Sequence, residues 1–249
     1  HLLELKRAKA TLDIPIIASL NAVYQESWVE YAKKLTDTGV DALELNFFHI
    51  PYDTEKEGVE VEEEQLKILK EVRKQISIPI SIKLSPFYSN TLNMIQSIDD
   101  EGVDGFVLFN RLFEPEINIH KEKHSFPFNL STKGDHKLPL RYAGLLYDNI
   151  NAGICANTGI FTGEDVLKMI MAGASCVQVV STLYKNKIEY IKQMLEDIEK
   201  WMENNQYATL GDIKGKLSRK NVSSPFVYKR AQYVDILMNP EEIIKQYKY

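Results

Sequence analysis

The chain repeats a short unit, and that repeat constrains the fold more than any other feature. Ile14-Pro15-Ile16-Ile17-Ala18-Ser19-Leu20 and Ile78-Pro79-Ile80-Ser81-Ile82-Lys83-Leu84 share one form. Each is rich in β-branched residues and opens with a proline, which a strand tolerates at its first position. A second form alternates with it: Gly39-Val40-Asp41-Ala42-Leu43-Glu44-Leu45, then Gly102-Val103-Asp104-Gly105-Phe106-Val107-Leu108, then Gly173-Ala174-Ser175-Cys176-Val177-Gln178-Val179. In each, a glycine stands where a helix would end and a strand begin, and glycine takes the left-handed conformation that ends helices. Helical periodicity occupies 28–36, 62–75, 92–101, 163–172 and 188–204, and 154–158 reads as a further strand. Six strands alternating with helices predict a parallel sheet with helical crossovers.

Six units do not close an eight-stranded barrel. Either the sheet is open and doubly wound, or two units are absent from a TIM (β/α)8 barrel. The chain opens at His1 in a helical pattern with no strand before it, which favours absence. No G-x-G-x-x-G or G-x-x-x-x-G-K-[ST] occurs, which weakens the nucleotide-binding open sheet. The expected fold class is therefore α/β, a TIM barrel with about six of its eight β/α units present. The 249 residues suit one such domain over 1–249, lacking its N-terminal units. Residues 211–249 read as a helical tail packing below the barrel. The polar segment 111–136 is either a βα loop over the active face or partly disordered.

Composition excludes several function classes. A net charge of −5 argues against a nucleic-acid protein, which shows a basic stripe. No apolar run approaches the roughly 20 residues needed to cross a bilayer, and no signal peptide is visible. The two cysteines, Cys155 and Cys176, sit in apolar strand-like runs without metal-ligand spacing. Two buried thiols suit a reducing compartment, so a cytoplasmic protein is expected.

In (β/α) barrels chemistry gathers at the C-terminal ends of strands. Here those ends carry Ser19 and Asn21, Asn46, Lys83, Asn110, Asn157 with Thr158 and Gly159, and Ser181 with Thr182. One polar residue ending a strand says little, but six in register suggest a hydrogen-bonding rim. Lys83 stands between Ile82 and Leu84 in a buried-type strand. It is either a lysine snorkelling to the surface, a Schiff-base amine, or a cation facing an anionic cofactor. Asn46 and Asn110 either bond local backbone or face a ligand. Small and hydroxylated residues near 158 and 181 suit a phosphate. His49 follows the Asn46 strand, where a histidine is either structural or functional. His120, His124 and His136 lack metal-like spacing.

Asp41-Ala42-Leu43-Glu44-Leu45-Asn46 resembles the "ALELN" strand of dihydroorotate dehydrogenases and of the related domain of dihydropyrimidine dehydrogenase. Pro79 to Pro86 resembles their "P-x-x-x-K-L-x-P" strand. Ala156-Asn157-Thr158-Gly159-Ile160, with Gly173-Ala174 and Val177-Gln178-Val179, resembles their FMN-phosphate segment. The likeness runs from about Ile14 to about Leu217, and Leu138-Pro139-Leu140-Arg141 is similar to a bacterial dihydroorotate dehydrogenase-like subgroup. The resemblance implies FMN at the top of the barrel, hydride transfer from dihydroorotate or a similar cyclic amide, a role in pyrimidine biosynthesis, and possibly a homodimer. By position it implies Lys83 beside the flavin N1/O2 edge, Ser19 and Asn21 near the flavin, and Asn46 and Asn110 on the substrate. It implies Thr158, Gly159, Ser181 and Thr182 on the phosphate, and His49 where the family carries a cysteine or serine base.

Three departures stand out. Leu45-Asn46-Phe47-Phe48-His49-Ile50-Pro51 replaces "LNLSCPN", the usual phosphate glycine pair is Thr158-Gly159, and Val180 replaces a glycine. Histidine can act as a general base near neutral pH. The resemblance thus implies flavin binding more firmly than dihydroorotate turnover. A degenerate flavin-binding barrel and a Schiff-base lyase using Lys83 stay open as alternatives.

Overall fold

A computed structural model describes residues 1–48, 50–111, 114–125 and 130–223, together with Tyr228 and Met238. The element order is α1 (Leu2–Thr11), β1 (Ile17–Leu20), α2 (Gln25–Thr36), β2 (Ala42–Phe47), α3 (Gly58–Arg73), β3 (Ile80–Leu84), α4 (Thr91–Asp99) and β4 (Gly105–Leu108). A small hairpin follows, β5 (Glu116–Asn118) with β6 (Lys123–Ser125), then α5 (Lys137–Leu146), β7 (Gly153–Asn157), α6 (Gly163–Ala172), β8 (Cys176–Gln178), α7 (Ser181–Asn186) and α8 (Tyr190–Asn204).

The main sheet is parallel, with order β1-β2-β3-β4-β7-β8. Each new strand joins the same edge, so there is no reversal of the kind that defines a doubly wound sheet. The sheet is a curled half-barrel, a sector of the TIM barrel expected from the repeat. Its period-2 alternation divides the strands cleanly. Leu43, Leu45, Ile80, Ile82, Leu84, Phe106, Leu108, Ile154 and Ala156 are all buried and pack with α2, α5 and α6. The opposite, inner face carries Ser19, Glu44, Asn46, Ser81, Lys83, Cys155, Asn157, Cys176 and Gln178.

The repeated motif has a structural cause. Gly39, Gly102 and Gly173 have φ of 84°, 76° and 133°, a region that strains residues with a Cβ. Each ends a helix and turns the chain into a strand. The aspartate two residues later secures the neighbouring strand. Asp41 Oδ2 accepts from Ile16 N at 2.6 Å, and Asp104 Oδ2 accepts from Ile80 N at 2.8 Å. The return bonds are Asp41 N to Ile16 O and Asp104 N to Ile80 O, at 2.9 and 2.8 Å. The third copy has Ser175, which keeps the backbone bond to Ile154 O at 2.7 Å. Register is thus set at the foot of each strand, and a one-residue slip would turn every apolar side chain inward.

The structure differs from the sequence reading in five places. The repeat prolines precede their strands, since β1 starts at Ile17 and β3 at Ile80. The segment 111–136 contains the β5–β6 hairpin, too short for periodicity to reveal. Helix α5 begins at Lys137 with Pro139 in its first turn, where a missing N–H costs no bond. Cys176 is exposed and Cys155 only partly buried, where both were expected buried. Of the expected helical tail, residues 211–223 form turns, with a short 3-10 turn at Leu210–Asp212. Gly215 N and Leu217 N donate to Ile170 O and Met171 O, closing the last turn of α6. The remainder of 211–249 lies outside the described residues, Tyr228 and Met238 apart.

Candidate functional site

A side-chain ring crosses the inner face. Glu44 Oε1 accepts from Ser19 Oγ at 2.8 Å, and Glu44 Oε2 accepts from Gln178 Nε2 at 2.7 Å. Lys83 Nζ donates to Gln178 Oε1 at 3.1 Å and stands 3.6 Å from Glu44 Oε1. In strand order Glu44 and Gln178 are four steps apart. On a flat sheet that separation is about 19 Å, from the usual strand spacing. Only the curl of the half-barrel brings them within a hydrogen bond. The ion pair is shielded, with side-chain exposures of 17% for Lys83 and 5% for Glu44. An ammonium has three donors, and Lys83 also borders the cleft beside the ring.

That cleft has a volume of about 220 Å³ and is bordered by Lys83, Asn110, Thr158, Gly159, Gln178 and Ser181. A second cavity of about 520 Å³ adjoins it, sharing Asn110, Arg111 and Thr158 and extending to Pro86 and Phe87. Arg111 stands at the junction, its Nη1 2.6 Å from Asp135 Oδ2.

The rim is tied together at the strand ends. Asn110 N donates to Leu84 O at 2.7 Å, which fixes the chain leaving β4. Asn110 Nδ2 then donates to Asn46 Oδ1 at 2.8 Å, and Asn21 Nδ2 donates to Asn46 O at 2.9 Å. Asn157 Nδ2 and Thr158 Oγ1 both donate to Phe109 O at 3.0 Å. Thr158 and Gly159 have φ of 80° and 76°. A Cβ on Gly159 would stand 2.3 Å from His136 N, so the loop approaches its neighbour as only glycine allows.

The expected residues therefore divide. Lys83, Asn110, Thr158, Gly159 and Ser181 share one cleft, and Asn46 meets it through Asn110. Ser19 joins the ring through Glu44. Asn21 donates to the Asn46 carbonyl and borders two other cavities instead of this cleft. Thr182 is fully buried and its hydroxyl donates to Phe161 O at 3.2 Å, so it braces the loop and does not line the cleft. Ser181 Oγ accepts from Ser131 N at 2.9 Å. His49 lies outside the described residues.

Two members of the ring were not assigned a role from sequence, Glu44 and Gln178. The signal was available: each is a polar residue between two aliphatic ones in a strand, the same pattern that singled out Lys83. Among the described residues no group of acidic, histidine or cysteine side chains is arranged to hold a metal. Among them, too, no helix is long and apolar enough to cross a membrane.

A sequence model described as dihydroorotate dehydrogenase matches residues 1–202. The chain is 30% identical over 209 residues to the catalytic subunit of dihydroorotate dehydrogenase B (NAD(+)) of Methanocaldococcus jannaschii, covering 82% of this chain and 67% of that protein. It is 31% identical to the corresponding subunit of Alkaliphilus metalliredigens, covering 81% and 68%. It is 27% identical to dihydroorotate dehydrogenase A (fumarate) of Lactobacillus helveticus, covering 82% and 68%.

Proposed function

Because the chain belongs to the dihydroorotate dehydrogenase family, we propose that it is an FMN-dependent oxidoreductase acting on dihydroorotate or a similar cyclic amide. The observation that carries the reading is Lys83. Its ammonium is held by Glu44 and Gln178 at the edge of a cleft that also contains Thr158, Gly159 and Ser181.

The residues present fit the cofactor. A shielded cation with a donor to spare suits the negative charge of a reduced flavin ring. The left-handed Thr158-Gly159 loop and the Ser181 hydroxyl offer small groups that a phosphate can approach. When bound, FMN supplies the hydride acceptor. The chain's own residues do the rest. Lys83 would hold the edge of the reduced flavin. Ser19 keeps Glu44, and through it Lys83, in place. Asn46 and Asn110, already bonded to each other, present amide groups to the carbonyl and N–H groups of a planar substrate. Asn21 steadies the Asn46 backbone, and Thr182 steadies the loop behind the phosphate. By its place in the chain after β2, His49 would be the base that takes the substrate's C5 proton, since an imidazole can transfer protons around neutral pH.

The test is an anaerobic absorbance titration of the FMN-loaded protein with dihydroorotate. Bleaching of the visible flavin bands supports the reading. A yellow protein that stays yellow rejects dihydroorotate as substrate. A protein that takes up no FMN rejects the flavoprotein reading itself.

A further inference from the structure

The two cysteines stand together on the inner face, and the flavin reading makes no use of them. Cys155 and Cys176 are direct register partners on adjacent parallel strands, β7 and β8. Neighbouring strands lie about 4.8 Å apart, and disulfides form across Cα separations of roughly 4.4–6.8 Å. Both side chains point to the same face, because they share one register step of a sheet whose alternation is set by Ile154, Ala156 and Val177 packing outward. Their environments differ. Cys176 is the more exposed of the two and Cys155 is partly buried.

Their proton affinities differ as well. The adjacent Cys155 thiol, followed by the nearby Lys214 ammonium, draws the Cys176 thiol down to about 7. Lys214 is held there by its own bond to Ser175 Oγ at 2.8 Å. The neighbouring Cys176 sulfur, with burial and the Glu44 carboxylate, pushes Cys155 upward. Cys176 is thus the more acidic and more exposed thiol of the pair, and Cys155 the less acidic one beside it.

We propose that Cys155 and Cys176 form an oxidisable dithiol that peroxide converts to an intramolecular disulfide. Cys176 thiolate attacks one oxygen of hydrogen peroxide. The S–O bond forms, the O–O bond breaks, and hydroxide leaves to become water. Cys155 sulfur then attacks Cys176 sulfur. The S–S bond forms, the S–O bond breaks, and a second water leaves carrying the Cys155 proton. Two thiols and one peroxide give one disulfide and two waters. The product ties the strand that carries Gln178 to its neighbour, two register positions from the ring that holds Lys83.

The test uses the purified chain, without FMN, treated with a slight excess of hydrogen peroxide. Thiol counting with an aromatic disulfide reagent starts at two per chain, the number of cysteines present. The expected result is a fall to none, an intact mass lower by two hydrogens, a peptide pair linking Cys155 to Cys176, and full recovery with dithiothreitol. Cys155→Ser is expected to trap the sulfenic acid on Cys176 as a dimedone adduct, and Cys176→Ser to leave Cys155 unreactive. Retention of both thiols overturns the proposal. So does a disulfide between two chains, or a sulfenic acid on Cys176 that persists in the unsubstituted protein. The mass and peptide readouts on that protein decide the matter even if a serine variant does not fold, and neither depends on the flavin reading.

Discussion

The Glu44–Lys83 pair makes the strongest claim on stability, because it can be dissected. At 3.6 Å, and with an effective dielectric of about 20, the Coulomb attraction is roughly 4–5 kcal/mol. Taking both charges out of water offsets much of that. Removing one partner exposes the difference. Glu44→Gln keeps the shape and can still accept from Gln178, with its amide nitrogen donating to the Ser19 hydroxyl in place of the present bond, but it leaves the Lys83 ammonium without its counter-charge. A fully buried orphan charge costs about 3–5 kcal/mol. Lys83 keeps 17% side-chain exposure and its bond to Gln178, so the loss should be nearer 2–3 kcal/mol. Lys83→Met should cost a similar amount, since it strands the Glu44 carboxylate. The double variant should recover part of both losses. The assay is urea unfolding of the four proteins at constant m. A double-mutant cycle with a coupling of about 1–3 kcal/mol is expected. Additivity within about 0.5 kcal/mol would refute the claim that the two charges hold each other. If Lys83 holds a flavin edge, Lys83→Met should also weaken FMN binding or lower the flavin reduction potential, read separately by fluorescence quenching and dye equilibration.

Other outcomes follow from the same geometry. Asp99 is buried and accepts from Asn151 N, Asn151 Nδ2 and Ala152 N at 2.9, 3.1 and 2.8 Å. Asp99→Ala strands two backbone N–H groups and should cost about 2–5 kcal/mol; a loss below about 1 kcal/mol in urea unfolding contradicts this. Gly159→Ala must displace the His136 backbone and should lower FMN affinity at least about tenfold, some 1.4 kcal/mol. Gly39→Ala, with φ of 84° but no atom within 4 Å of the added Cβ, should cost about 1–2 kcal/mol of stability and leave FMN affinity alone. Equal effects on FMN would place the cofactor elsewhere. Asp41 is held below its ordinary value by the Lys9 ammonium and then the Ile16 N–H. Asp165 is pushed up by burial, but the Phe161 N–H and Lys168 outweigh that and bring it below its ordinary value. Depressed carboxyls contribute stability above the unfolded value of about 3.9, and that stability disappears as pH falls through the folded values. The urea midpoint should therefore fall below about pH 4, and Asp41→Asn should flatten the fall. His49→Ala should retain FMN and lose flavin reduction by dihydroorotate; unchanged reduction removes His49 from the mechanism.

How much of this was legible beforehand depends on the range of the interaction. Leu43, Leu45, Ile80 and Ile82 announced their strands because burial on the helix-facing side imposes aliphatic residues over four or five positions. Gly39, Gly102 and Gly173 announced the helix ends because a left-handed turn is a property of one residue. Helix α6 over Gly163–Ala172 was bounded correctly, and its Thr162 cap with Asp165 three residues on is a local pattern too. Short or composite elements were not legible. The β5–β6 hairpin has three residues a strand, too few for the two-residue alternation of a strand to stand out. Helix α7 has six residues and follows a strand whose own polar end looked like the whole story.

The site follows the same rule. That polar side chains end the strands could be read from the chain, since each sits beside its own aliphatic run. That Glu44 meets Gln178 could not, because 134 positions separate them and their contact exists only if the sheet curls. The contact thus measures the curl. A flat sheet of these strands would keep every local feature named above and lose the ring, the shielding of Lys83 and the cleft with them. The half-barrel shape is therefore what turns a row of separate strand-end residues into one site. Glu44→Gln tests that shape and the chemistry together, because the ring reports on both.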